Sequence, residues 1–130
     1  MNKSAARLLG AYQRVPVEEY PNSVVNDPKV SVFVQTYNQV DHIAECLDSI
    51  LRQTTNFEYE ILLGDDESDH GTRKICLDYS KKYPNKIRLF LHSRGNNIKV
   101  NGRPTGRFVF LYNAFQASGK FMALCEGDDY

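Results

Sequence analysis

Four short apolar runs alternate with three stretches of helical periodicity, and this alternation limits what the chain can fold into. The runs are Val30 to Val34, Tyr59 to Leu63, Ile87 to His92 and Lys120 to Cys125. Each is short and rich in β-branched, leucine or aromatic side chains, as buried strands are. After the first run, Ile43, Leu47, Ile50 and Leu51 recur at helical spacing, with Asp41 as the expected N-cap and an end near Gln53. A second helix is expected over Thr72 to Lys82, with Ile75, Cys76 and Tyr79 on one face and Pro84 behind it. A third is expected over Arg107 to Ala117, with Phe108, Leu111, Tyr112 and Phe115 inward and Ser118-Gly119 closing it. Strands alternating with helices imply right-handed crossovers and a mainly parallel sheet in a three-layer α/β/α fold.

The 130 residues, 42% of them apolar, suit one small domain with one core. Residues 30–130 form that domain. Residues 1–29 read as a partly irregular leader, because Pro16, Pro21 and Pro28 interrupt regular structure and Asn22, Ser23, Asn26 and Asp27 favour turns. A helix near Ala5 to Tyr12 is the one element expected there. Ser93 to Gly106 is a long basic stretch rich in Gly and Asn, of a kind that is often functional or mobile.

Composition removes several classes of function. Sixteen basic and sixteen acidic residues cancel, so there is no general electrostatic attraction for nucleic acid, and any bound anion needs a local site. No apolar run has the length of a membrane span, and Met1 to Gly10 lacks the apolar stretch of a secretory signal. Cys46, Cys76 and Cys125 are odd in number, distant and set in apolar contexts, which reads as reduced core thiols of a cytoplasmic protein. His42, His70 and His92 have no metal-ligand spacing. The Gly-rich signatures of dinucleotide-binding and P-loop folds are missing.

In parallel sheets, ligands bind outside the carboxyl ends of the strands. Three of the four strands run into polar loops at that edge: Gln35 to Asn38, Asp65 to Asp69 and Glu126 to Asp129. Carboxylates gathered there repel one another unless they are protonated, solvated or neutralised by a cation. All-oxygen ligands select Mg2+ or Mn2+, ions that take their remaining ligands from water and substrate phosphates. The matching substrate is a nucleoside diphosphate whose leaving charge the metal offsets. Arg94, Lys99, Arg103 and Arg107 are phosphate contacts or simply solvated loop charges.

Four segments carry a resemblance. Val30-Ser31-Val32-Phe33-Val34-Gln35-Thr36-Tyr37-Asn38 resembles the opening strand of family 2 glycosyltransferases, and Leu47-Asp48-Ser49-Ile50-Leu51-Arg52-Gln53-Thr54 resembles the helix after it. The run from Gly64 to Thr72 is similar to that family's Asp-Asp-Gly-Ser-x-Asp-x-Thr loop, with Glu67 at the Gly position. Glu126-Gly127-Asp128-Asp129-Tyr130 resembles its Asp-x-Asp motif, with Glu126 in the first place. The resemblance implies a Rossmann-like GT-A half-domain and a nucleotide-diphospho-sugar donor, UDP-sugar favoured. It also implies a saccharide or lipid-linked acceptor and a Mg2+ or Mn2+ cofactor. Gln35, Thr36, Tyr37 and Asn38 would hold base and ribose, Asp66 would accept from a base N–H, and Glu126 would face the ribose or a metal-bound water. Asp128 would ligate the metal with help from Asp129, and the catalytic base is expected beyond Tyr130. Polysaccharide or cell-envelope synthesis follows at the family level, with peripheral association of the full-length enzyme at the cytoplasmic membrane face. The alternatives are a metal-dependent nucleotidyltransferase and a non-enzymatic nucleotide-binding fragment.

Overall fold

The computed structural model describes residues 3–69 and 71–126, and says nothing of the side chain of Glu126. Helix α1 spans Lys3–Tyr12, strand β1 Glu18–Glu19, β2 Val30–Thr36, α2 Ile43–Leu51, β3 Tyr59–Asp66, α3 Thr72–Lys82 and β4 Ile87–His92. A 3-10 turn at Arg94–Asn96 and a ribbon of β5 Lys99–Val100 and β6 Arg103–Pro104 follow. Helix α4 Arg107–Gln116 and β7 Phe121–Glu126 complete the fold. The main sheet runs β1-β4-β3-β2-β7, with β1 antiparallel and the other four strands parallel.

The chain steps outward from β2 to β3 to β4, then returns to the far side of β2 as β7. That reversal puts a topological switch point between β2 and β7. It also puts the helices on opposite faces. On one face, Ile43, Cys46 and Leu47 of α2 and Cys76 of α3 join Val34, Ile61, Leu63, Ile87 and Leu89 in the main core. On the other, α4 covers Phe33, Leu62 and Phe90 with Tyr112 and Ala114. The expected three-layer α/β/α arrangement is therefore the observed one.

Several local expectations are corrected. Asp41 does not cap α2: the N-cap is His42, without a side-chain bond, because the Gln39 carbonyl already accepts the His42 and Ile43 N–H groups. The second strand does not stop at Leu63 but carries Gly64, Asp65 and Asp66 within the ladder. The buried residues of α4 are Phe108, Val109 and Asn113, whereas Leu111, Tyr112 and Phe115 are half-buried. Gly64 explains that shift. A Cβ there would lie 2.5 Å from Val109 Cγ1, so the bare backbone lets α4 settle with this side against β3. The cysteines distant in sequence are not all distant in space: Cys46 Sγ on α2 and Cys125 Sγ on β7 are 3.0 Å apart.

The leader is built onto the domain. α1 packs on α4, Val17 joins the cluster beneath it, and β1 pairs with the outer edge of β4. Arg88 fixes that edge by donating to Glu19 and to the fully buried Glu60, which also accepts from Ser31 Oγ at 2.6 Å and Ser118 N at 2.8 Å. A buried carboxylate is tolerable when its lone pairs are satisfied in this way.

Candidate functional site

At the carboxyl end of the sheet, the β2 and β3 loops are bonded to each other. Asn38 N–H donates to Ser68 Oγ at 2.9 Å, and Asp69 N–H donates to Asn38 Oδ1 at 2.9 Å. Asn38 and Glu67 both adopt left-handed backbone, at φ 51° and 56°. A left-handed conformation costs a non-glycine residue about 1–2 kcal/mol. Glu67 thus keeps the shape a Gly would give. Its carboxylate adds an acceptor for the Arg94 N–H at 3.0 Å, and this bond lowers its pKa.

Asp65 and Asp66 point to opposite faces of β3, as the strand period of two requires. Asp65 is fully buried and bonded to Arg73 Nε at 2.5 Å; Arg73 Nη2 also reaches the carbonyls of Asp65 and His92. Asp66, 4% exposed, faces the α4 side and accepts from Arg94 Nη1 at 3.0 Å and from Asn97 Nδ2. The Arg94 guanidinium lies 3.7 Å from the centre of the Tyr37 ring. Each Asp of the pair is therefore neutralised by an arginine, not left to repel its neighbour. Among the described residues, no three His, Cys, Asp or Glu side chains gather to hold a metal ion.

Gln35, Thr36, Tyr37 and Asp66 line one cavity of about 250 Å3 together with Gln39, Arg94, Pro104, Thr105, Gly106 and Val109. Asn38 is absent from that wall and serves instead to join the two loops. Glu126 sits in β7 opposite Gln35, at the same end of the sheet. Asp128 and Asp129 lie outside the described residues, as does His70. Sequence reasoning missed Arg94 and Asn97 as partners of Asp66. Only the fold of the 93–106 stretch brings them there, and no spacing rule signals it.

His92 ends β4 with its ring edge-on to Phe108 and Tyr112. Burial, reinforced by the Arg73 charge, depresses its pKa to about 4, so it is neutral at pH 7. Among the described residues, neither ring nitrogen has a hydrogen-bond partner.

Residues 31–106 match the family described as Glycosyl transferase family 2. The chain belongs to that family. Among relatives of this chain, the poly(ribitol-phosphate) beta-glucosyltransferase of Bacillus spizizenii is 34% identical over 103 residues. That alignment covers 78% of this chain and 15% of the relative. The structure of S. aureus TarS in complex with UDP is 30% identical with a TM-score of 0.57, covering 78% of this chain and 28% of that one. A mannosyltransferase from Pyrobaculum calidifontis, in complex with GDP-Man and Mn2+, is 21% identical with a TM-score of 0.59. It covers 96% of this chain and 34% of its own, a likeness of fold alone. The chain spans about a third or less of the length of the curated relatives it matches. No helix among the described residues is long and apolar enough to cross a membrane.

Proposed function

We propose that this chain forms the donor-nucleotide site of a glycosyltransferase that moves a sugar from a nucleotide-diphospho-sugar to a saccharide or lipid-linked acceptor. The observation that carries the reading is the Asp66–Tyr37 pair: a buried carboxylate beside an aromatic face, already occupied by a planar cationic donor. A uracil ring entering beside Tyr37 would offer an N–H to Asp66 and a flanking carbonyl to the Arg94 guanidinium that covers the Tyr37 face. In that register cytosine presents a ring acceptor where uracil presents the N–H, and so meets the Asp66 carboxylate with a lone pair. Gln35 and Thr36 on the adjacent strand would meet the ribose. The UDP bound by the S. aureus relative supports a uridine donor.

Asp65 and Asp66 do not fit a metal, since arginines engage both. The run that resembles the family's Asp-x-Asp motif supplies the remaining candidates, Glu126, Asp128 and Asp129. Their all-oxygen chemistry fits Mg2+ or Mn2+, with Asp128 and Asp129 as ligands and Glu126 toward the ribose. When bound, the ion would offset charge on the departing diphosphate. The Bacillus relative's name supports a cell-envelope glycan as acceptor. We place the enzyme in the cytoplasm, its full-length form associating with the membrane face.

Calorimetric titration with UDP, GDP and CDP, with and without Mn2+, tests this. The expected result is Mn2+-dependent UDP binding that Asp66→Ala abolishes and that Asp128→Ala renders metal-independent. Preference for a nucleoside triphosphate, or no binding at millimolar ligand, sinks the reading.

A further inference from the structure

Asn96 is 1% exposed, yet its amide makes no bond within its own loop. Its Oδ1 accepts from Arg14 N–H at 2.6 Å and Val15 N–H at 2.8 Å, and its Nδ2 donates to Val15 O at 2.7 Å. These partners are main-chain groups of the leader, more than 80 positions away in sequence. Both acceptor positions and one donor are used, a combination that Asp or Ala cannot supply.

Asn96 closes the 3-10 turn Arg94–Asn96, whose amides are internally paired: Asn96 N–H to Ser93 O at 3.0 Å and Asn97 N–H to Arg94 O at 3.1 Å. A paired turn moves as a unit. Fixing Asn96 therefore fixes Arg94 and Asn97, the two groups on Asp66. Asn97 Oδ1 carries the tie onward to Gly106 N–H at 2.9 Å, the cap of α4. The leader also supplies Tyr12 to a second cavity of about 500 Å3, which shares Gln35, Thr105 and Gly106 with the first. The matched family segment begins at residue 31, so the leader side of this anchor, Arg14 and Val15, lies outside it.

We infer that Asn96 is a positioning residue and that the leader around Arg14 and Val15 is a strap, which together hold the base-reading Arg94, and Asn97 that steadies Asp66, in place. The inference rests on reading the Asp66 cavity as the nucleotide site. It gives the leader a role in donor selection beyond packing.

The test compares the full chain with Asn96→Ala and Asn96→Asp by amide hydrogen exchange and by UDP and CDP titration. Asn96→Ala should speed exchange of the Asn96 and Asn97 amides at least tenfold while leaving Leu62 and Leu63 protected. UDP affinity should fall roughly tenfold, as removing a buried hydrogen-bonding partner does. The UDP-to-CDP preference should shrink with it. Asn96→Asp, which keeps the acceptor and loses the donor, should fall between. Unchanged exchange at Asn96 and Asn97 would overturn the strap. Faster exchange with an unchanged UDP-to-CDP ratio would overturn the positioning role, because a purely structural residue lowers stability without altering discrimination. If the unmodified chain binds no nucleotide, the donor-site reading fails while the exchange measurement still decides the strap.

Discussion

At the scale of single residues, Asp65 and Asp66 divide the work of one motif. Asp65 is structural: Arg73 closes the gap between α3 and the ends of β3 and β4. Arg73→Ala leaves Asp65 buried without a counter-charge, which should cost roughly 3–5 kcal/mol in urea unfolding. Arg73→Lys should recover little, because a single ammonium cannot reach both the carboxylate and two carbonyls. His92 gives a pH signature. Its folded pKa of about 4 lies below the ordinary 6.5, so the unfolded chain takes up the proton first as pH falls. The stabilisation is fully present above pH 6.5, declines below it, and is lost by about pH 4. That decline should amount to about 3 kcal/mol. Thermal melts across this window should flatten in His92→Gln, leaving the carboxylate-driven loss at lower pH.

At the scale of elements, the contact of α4 with β3 decides the shape of the cavity. Val109 lines it and also presses against Gly64. Gly64→Ala forces the helix outward, and overpacking of this sort should lower stability by about 1–3 kcal/mol. The same shift should weaken UDP binding, since Gly106 and Val109 move with α4. Helical periodicity located α4 but missed its inward face, because nothing in a 3.6-residue repeat reveals that the opposing strand offers a bare backbone. The 93–106 stretch shows the same limit. Its length and composition mark it as functional or mobile, but its bonds to Asp66, Glu67 and the leader are all long-range.

At the scale of the whole molecule, the sheet has unlike edges. The β4 edge is covered by β1 and locked by Arg88. The β7 edge carries Phe121, Met122 and Leu124, each more than 60% exposed. An exposed apolar edge strand templates pairing with other chains. Sedimentation of the 130-residue chain should therefore show concentration-dependent association, reduced by Leu124→Lys; monomeric behaviour at high concentration would contradict this.

The layered α/β architecture, the order of its elements and the loops at one sheet edge were determined by the sequence itself. Period-2 and period-3.6 patterns are local, and the parallel crossover rule turns them into a topology. The family resemblance in Gln35–Asn38 and Gly64–Thr72 was legible for the same reason, as contiguous residues on single loops. Which carboxylate met which arginine, which face of α4 was buried and that Asn96 holds the leader were decided only by tertiary structure. Each depends on two segments far apart in the chain coming within hydrogen-bond or van der Waals distance, and no local repeat encodes such a meeting.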